Sequence, residues 1–322
     1  MNRPRPGTRR RTAAALLLAL APLAACASSP EEPLPATALE EARALYEAGD
    51  PDAAWGLLND WDVEDFDLSA RRDYALLTAR VSDALGDWDR AVRYYELALD
   101  EPGPASEQRE IEERLLTLGI ELLQGKRKVL FFFPDRSRGV ATLEHLAFSG
   151  RFPEIRAEAL ARLADYHFRK GDYVDAELYY DELLAPELRG LGYEDLAAYR
   201  VGECTARRVD VDHLNLDLPM RAIDQFEAYM KRFPNGLHRS EAEERLAWLR
   251  ELVGRYQLQL ADFYRVVGND FGRRYHLQLA AGMTPLGRRD LVRYVQGTAA
   301  AEEAKRLLAE LGPAESDAEP SS

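Results

Sequence analysis

Two cysteines and five histidines are the strongest nucleophiles and metal ligands in the sequence, and their positions limit what they do. Cys26 and Cys204 are too few for a disulfide framework, and His145, His167, His213, His238 and His276 match no familiar zinc spacing. The stretch containing Asp210, Asp212, His213 and Asp217 comes closest to a ligand cluster. Leu214, Leu216 and Leu218 alternate with its polar residues, which fits a loop pinned onto a helical surface at least as well, so no metal is assigned. Acidic pairs such as Glu112-Glu113 and Glu243-Glu244 read as solvated faces of amphipathic helices. There is no phosphate-cradling glycine loop, no nucleophile elbow and no HExxH motif. The expectation is a non-catalytic protein with no cofactor.

Cys26 takes a role from what precedes it. Arg3, Arg5, Arg9, Arg10 and Arg11 lead into Thr12 to Ala25, a small and apolar run that includes Leu16-Leu17-Leu18, and this is the layout of an export signal. The run is too short to span a membrane, which takes about 20 apolar residues. Leu23-Ala24-Ala25-Cys26 resembles a bacterial lipobox. The resemblance implies cleavage before Cys26 and acylation of Cys26, with roughly 0.8 kcal/mol of membrane attachment per buried methylene. Ala27, where Asp would retain the protein at the inner membrane, implies an outer-membrane address facing the periplasm. Cys204 lies inside a helical pattern and reads as a small buried residue.

Of the 322 residues, 46% are apolar and 30% charged, which is enough to bury a core and excludes wholesale disorder. The formal charge is −14. The 25-residue leader holds five arginines and no acid, so the remaining 297 residues carry 37 basic against 56 acidic side chains, or −19. Such a chain repels phosphate backbones, which argues against nucleic acid as a partner. Residues 26–36, with the sequence ASSPEEPLP inside them, are expected to form a flexible tether, and 313–322 a disordered acidic tail. Between them, residues 37–312 show apolar side chains three and four apart in segments suited to helix hairpins, so the class is all-α.

Those segments repeat. Gly86-Asp87-Trp88 is followed by Ala91, Tyr95 and Ala98, and Ala164 and His167 precede Gly171-Asp172-Tyr173, Ala176, Tyr180 and Leu183. Weaker copies carry Gly49-Asp50-Pro51 and Gly268-Asn269 at the turn. Two more share a second-helix spacing, Ala141, His145, Phe148, Phe152-Pro153 and Ala222, Phe226, Tyr229, Phe233-Pro234, with first helices expected around 110–123 and 193–207. The pattern resembles the tetratricopeptide repeat, which implies a right-handed superhelix of about six hairpins whose first helices line a groove able to hold an extended segment or a partner's helix. Projecting that register turns Arg43, Tyr46, Arg80, Asp165, Arg169, Asp262 and Arg265 toward the groove as candidate partner contacts.

Insertions remain at 125–138 and 209–219. The first, GKRKVLFFFPDRSR, is a basic and aromatic island in an acidic chain. One reading makes Lys126, Arg127, Lys128, Phe131, Phe132 and Phe133 a docking loop for a membrane surface or partner; the favoured one folds the phenylalanines back onto the helices and leaves the charges in water.

The stretch from about 193 to 268 contains RAIDQFEAYMKRFPNG and a long following helix through Ala242, Leu246, Leu249, Tyr256 and Ala261-Asp262-Phe263-Tyr264. It is similar to the BamD (YfiO) family of outer-membrane assembly lipoproteins. The resemblance implies a lipid-anchored scaffold that helps insert β-barrel proteins, with a BamA-like barrel component or an unfolded barrel substrate as partner. After Gly268 the sequence leaves that family's pattern, so no partner-contact residues are carried over. The alternative is another tetratricopeptide lipoprotein that scaffolds envelope or division complexes.

Overall fold

Glycine followed by aspartate or asparagine ends one helix and starts the next at four places. Gly49, Gly86, Gly171 and Gly268 have φ between 73° and 89°, a left-handed conformation that glycine adopts without a Cβ penalty. At three of the four, the next side chain caps the following helix: Asp50, Asp87 and Asn269 accept hydrogen bonds from the backbone N–H of Ala53, Arg90 and Gly272 at 3.0, 3.2 and 2.8 Å. Asp172 is the exception, making no capping bond.

The structure, a computed structural model, describes residues 35–126, 128–129, 133–134, 136–212, 215–284 and 292–312. The export segment, Cys26 and the expected tail lie outside these residues. Among the described residues there are thirteen α-helices: α1 (Pro35–Glu47), α2 (Pro51–Leu58), α3 (Leu68–Leu85), α4 (Trp88–Asp100), α5 (Ala105–Leu123), α6 (Arg136–Ser149), α7 (Pro153–Lys170), α8 (Tyr173–Glu182), α9 (Glu194–Arg207), α10 (Asp217–Arg232), α11 (Arg239–Val266), α12 (Asp270–Ala280) and α13 (Ala299–Leu311). Two strands, β1 (Lys128–Val129) and β2 (Phe133–Pro134), form a short antiparallel pair between α5 and α6. The chain is all-α in class, and no described helix is long and apolar enough to cross a membrane.

Each helix packs on the next along the chain. Contacts between next-nearest helices join odd-numbered ones: α1 with α3, α5 with α7, α9 with α11 and α11 with α13. Ion pairs follow the same odd-numbered row. Arg43 of α1 meets Asp73 of α3 at 3.3 Å, Arg80 of α3 meets Glu110 of α5 at 2.9 Å, and Arg255 of α11 meets Glu303 of α13 at 2.5 Å.

Among the described residues the core forms four clusters in chain order. Leu39 to Val81 fills the space among α1, α2 and α3; a large cluster from Ala75 to Cys204 runs through α3 to α9; Ala198 to Val295 centres on Ile223, Phe226 and Leu249; and Ala261 to Ala304 joins α11, α12 and α13. Small residues set the closest crossings. An added Cβ at Gly139 of α6 would sit 2.6 Å from the backbone nitrogen of Leu123, so α5 and α6 touch backbone to backbone there.

Three segment boundaries differ from those read in the sequence. α1 begins at Pro35, inside the last two residues of the proposed tether, because proline at the first helical position gives up no hydrogen bond. The insertions are also shorter than expected: Arg136 and Arg138 belong to α6, and Asp217 and Pro219 to the first turn of α10.

Candidate interaction surface

The N-terminal odd-numbered helices enclose a recess of about 360 Å³. Arg43 and Tyr46 come from α1, Asp73 and Arg80 from α3 and Glu107 from the first turn of α5, with buried Leu76 and Leu77 among its lining residues. Three of the residues read from the sequence as groove contacts, Arg43, Tyr46 and Arg80, are therefore brought together. Arg43 and Arg80 are paired with Asp73 and Glu110 and about one-third exposed. Pairs of that exposure are worth about 0–1 kcal/mol, so a partner's carboxylate can exchange for the internal one at little cost.

A smaller recess of about 180 Å³ lies between α7, α8 and α9. Asp165 lines it, and its carboxylate accepts a 2.6 Å hydrogen bond from the Tyr180 hydroxyl. Tyr193 donates in the same way to Glu158 at 2.5 Å. Burial and the carboxylate beside it push the Tyr193 phenol up to about 12, which keeps it a donor. Asp165 is thus held by its own fold.

The other three groove candidates line neither recess. Arg169 is exposed in the last turn of α7. Asp262 and Arg265 are exposed near the end of α11 and pair with each other at 2.7 Å. The register read from the sequence placed all seven along one groove; α11, which carries Asp262 and Arg265, is 28 residues long.

Around that pair is a surface that sequence reasoning missed. Phe263 and Val266 lie three apart in the last turn of α11, Val267 caps the helix, and Phe271 follows in the first turn of α12. All four are more than half exposed, Phe271 at 73%. The available signal was the apolar-rich FYRVVG ending of α11, which helical periodicity alone assigns to packing.

Of the proposed docking loop, Lys126 is exposed after α5, while Arg127, Phe131 and Phe132 lie outside the described residues. Lys128 stands opposite Pro134 in the strand pair, and Val129 opposite Phe133. Arg138 faces the body and reaches Glu96 of α4 at 3.4 Å. Compared with known proteins, the chain matches no family model, and no curated protein matches it. In the second insertion, Asp210 accepts from the backbone N–H of Asp212 at 2.9 Å and Asn215 from that of Asp217 at 2.8 Å, so both side chains serve local turns. His213 lies outside the described residues. Cys204 is fully buried, and burial with the nearby Glu177 pushes its thiol up to about 12, which makes it a packing residue and a poor nucleophile.

Proposed function

We propose that this chain is a non-catalytic scaffold lipoprotein that binds other proteins, built as a right-handed superhelix of about six tetratricopeptide-like helix hairpins. In this reading Cys26 carries the lipid, the helical body faces the periplasm from the outer membrane, and the chain takes part in inserting β-barrel proteins, as its similarity to the BamD family over 193–268 implies. The row of contacts and ion pairs among odd-numbered helices supports the superhelix, since stacked hairpins bring their first helices side by side.

The observation that carries a binding role is the exposed apolar patch of Phe263, Val266, Val267 and Phe271 at the turn between α11 and α12. An otherwise acidic chain that leaves two phenylalanines in water has a use for them outside its own core. The departure from the BamD pattern after Gly268 favours a second reading, a scaffold for a different envelope or division complex, because the patch begins on one side of that point and ends on the other.

Co-purification from detergent extracts tests both. Recovery of a BamA-type barrel protein with the tagged chain, and its loss in the Phe263→Asp/Phe271→Asp variant, is the expected result. Deletion of the chain with no barrel-protein defect would exclude the assembly role, and a different partner captured through the same two phenylalanines would establish the second reading. Mass spectrometry of the mature terminus checks the anchor: an unmodified Cys26 contradicts it.

A further inference from the structure

His167 lies in the last turn of α7, with its imidazole beside the rings of Tyr166 and Tyr179, whose centroids are 5.1 and 5.4 Å away. The residue is only 9% exposed, and neither ring nitrogen has a hydrogen-bond partner. A buried polar atom left in this way is destabilising unless something else engages it. Its Nδ1 points at two carboxylates across the Gly171 turn: Oδ2 of Asp172 and Oδ2 of Asp175 are each 3.6 Å away. One ligand atom from each of the three residues lies within 4.8 Å of the others.

These separations approach those around a small cation. A tetrahedral ion with bonds of about 2.0–2.2 Å holds its ligand atoms roughly 3.3–3.6 Å apart. Both histidine-to-carboxylate distances already fit, and the two aspartates, on the more exposed side of the cluster, have room to close the remaining gap. The C-terminal carbonyls of α7 add negative potential. Asp172 is also the one residue at the four Gly-Asp or Gly-Asn turns that makes no capping bond; it faces His167 and Lys170.

We infer that His167, Asp172 and Asp175 form a site for a divalent transition-metal ion of the zinc class, joining α7 to α8. One imidazole nitrogen and two carboxylate oxygens favour such an ion over calcium or magnesium, which take all-oxygen shells. Three protein ligands leave a fourth position for water. Lys170, whose Nζ is 2.7 Å from the same Asp172 oxygen that faces His167, competes with an ion for that carboxylate. Its side chain is 57% exposed, so it leaves for solvent at small cost.

Titration of the full chain with Zn²⁺ by calorimetry, and with Co²⁺ by visible absorption, tests the site. One equivalent is expected to bind, with the absorption of tetrahedral Co²⁺ and a raised thermal midpoint. Asp175→Asn alters an exposed side chain and leaves folding intact; it and His167→Gln should each weaken Zn²⁺ at least about tenfold, the lower end seen even for outer partners of metal ligands. Absence of one-equivalent binding overturns the inference, as does undiminished affinity in Asp175→Asn. Undiminished affinity in Asp172→Asn removes Asp172 from the ligand set and with it the three-ligand site.

Discussion

Glu203 of α9 and Arg245 of α11 meet side-on, with Nε 3.0 Å from one carboxylate oxygen and Nη2 3.0 Å from the other. Arg207, one turn along α9, adds a third contact at 2.8 Å. The carboxylate is almost fully buried, at 2% exposure, while both arginines are about two-fifths exposed. Glu203 therefore holds α11 against α9 with the shielded half of the pair, and the arginines can return to water if it is lost.

Replacing Glu203 by glutamine keeps the shape and removes the charge. Hydrogen bonds to charged groups are worth about 1.5–3 kcal/mol, and re-solvation of the arginines limits the loss, so a drop of about 1–3 kcal/mol is expected. Urea denaturation should show a lower midpoint with an unchanged slope. An unchanged midpoint would mean that the pair contributes nothing net.

Two glycine-to-alanine changes should have opposite signs. At Gly139 the new methyl would meet the Leu123 nitrogen at 2.6 Å and the Gly119 carbonyl oxygen at 2.9 Å, both backbone atoms that cannot step aside, for a loss of about 1–3 kcal/mol. At Gly56, inside α2, the methyl meets nothing within 4 Å, and a gain of about 0.4–1 kcal/mol is expected from the stiffer unfolded chain. Thermal melts of the two variants give the comparison.

These positions show what the sequence makes legible. The Gly-Asp turns are local chemistry, and first helices expected around 110–123 and 193–207 appear as Ala105–Leu123 and Glu194–Arg207. Contacts between distant segments are not local. Nothing near Glu203 in sequence announces Arg245, 42 residues away, and the repeat pattern gives His167 and Asp172 only places before and in the Gly-Asp turn, so their approach to Asp175 appears only in three dimensions. Arg43, Tyr46 and Arg80, on α1 and α3, line one recess, whereas Asp262 and Arg265, near the end of the 28-residue α11, line neither.

Cys204 should resist modification. At pH 8 the folded chain is expected to react negligibly with a thiol reagent and to react fully in denaturant, because burial raises its thiol from an ordinary value near 9.0 to about 12. A raised value favours the protonated form in the fold. The associated stability is present below pH 9 and is lost as the pH climbs from there toward 12. Rapid labelling at pH 8 under native conditions would show that α9 opens locally.

His276 sets the acid side. Its Nδ1 lies 2.8 Å from Oε1 of the buried Gln257, its ring stacks on Tyr264, and burial holds its titration below the ordinary 6.5. A lowered value favours the neutral imidazole in the fold. The contribution is therefore present above pH 6.5 and disappears as the pH falls through the lowered value. His276→Gln should flatten the dependence of stability on pH below 6.5, and an unchanged profile would assign that dependence to other groups.

The division of the core into four clusters in chain order bears on how the protein forms and fails. Most burial joins segments close in sequence, so little loop-closure entropy opposes assembly, and a chain of this length is suited to folding quickly from its large middle cluster outward. The same economy makes loss of structure gradual. The small cluster of α11, α12 and α13 can fray while α3 to α9 stays intact, which leaves the turn that bears Phe263 and Phe271 free to reshape itself around whatever it meets.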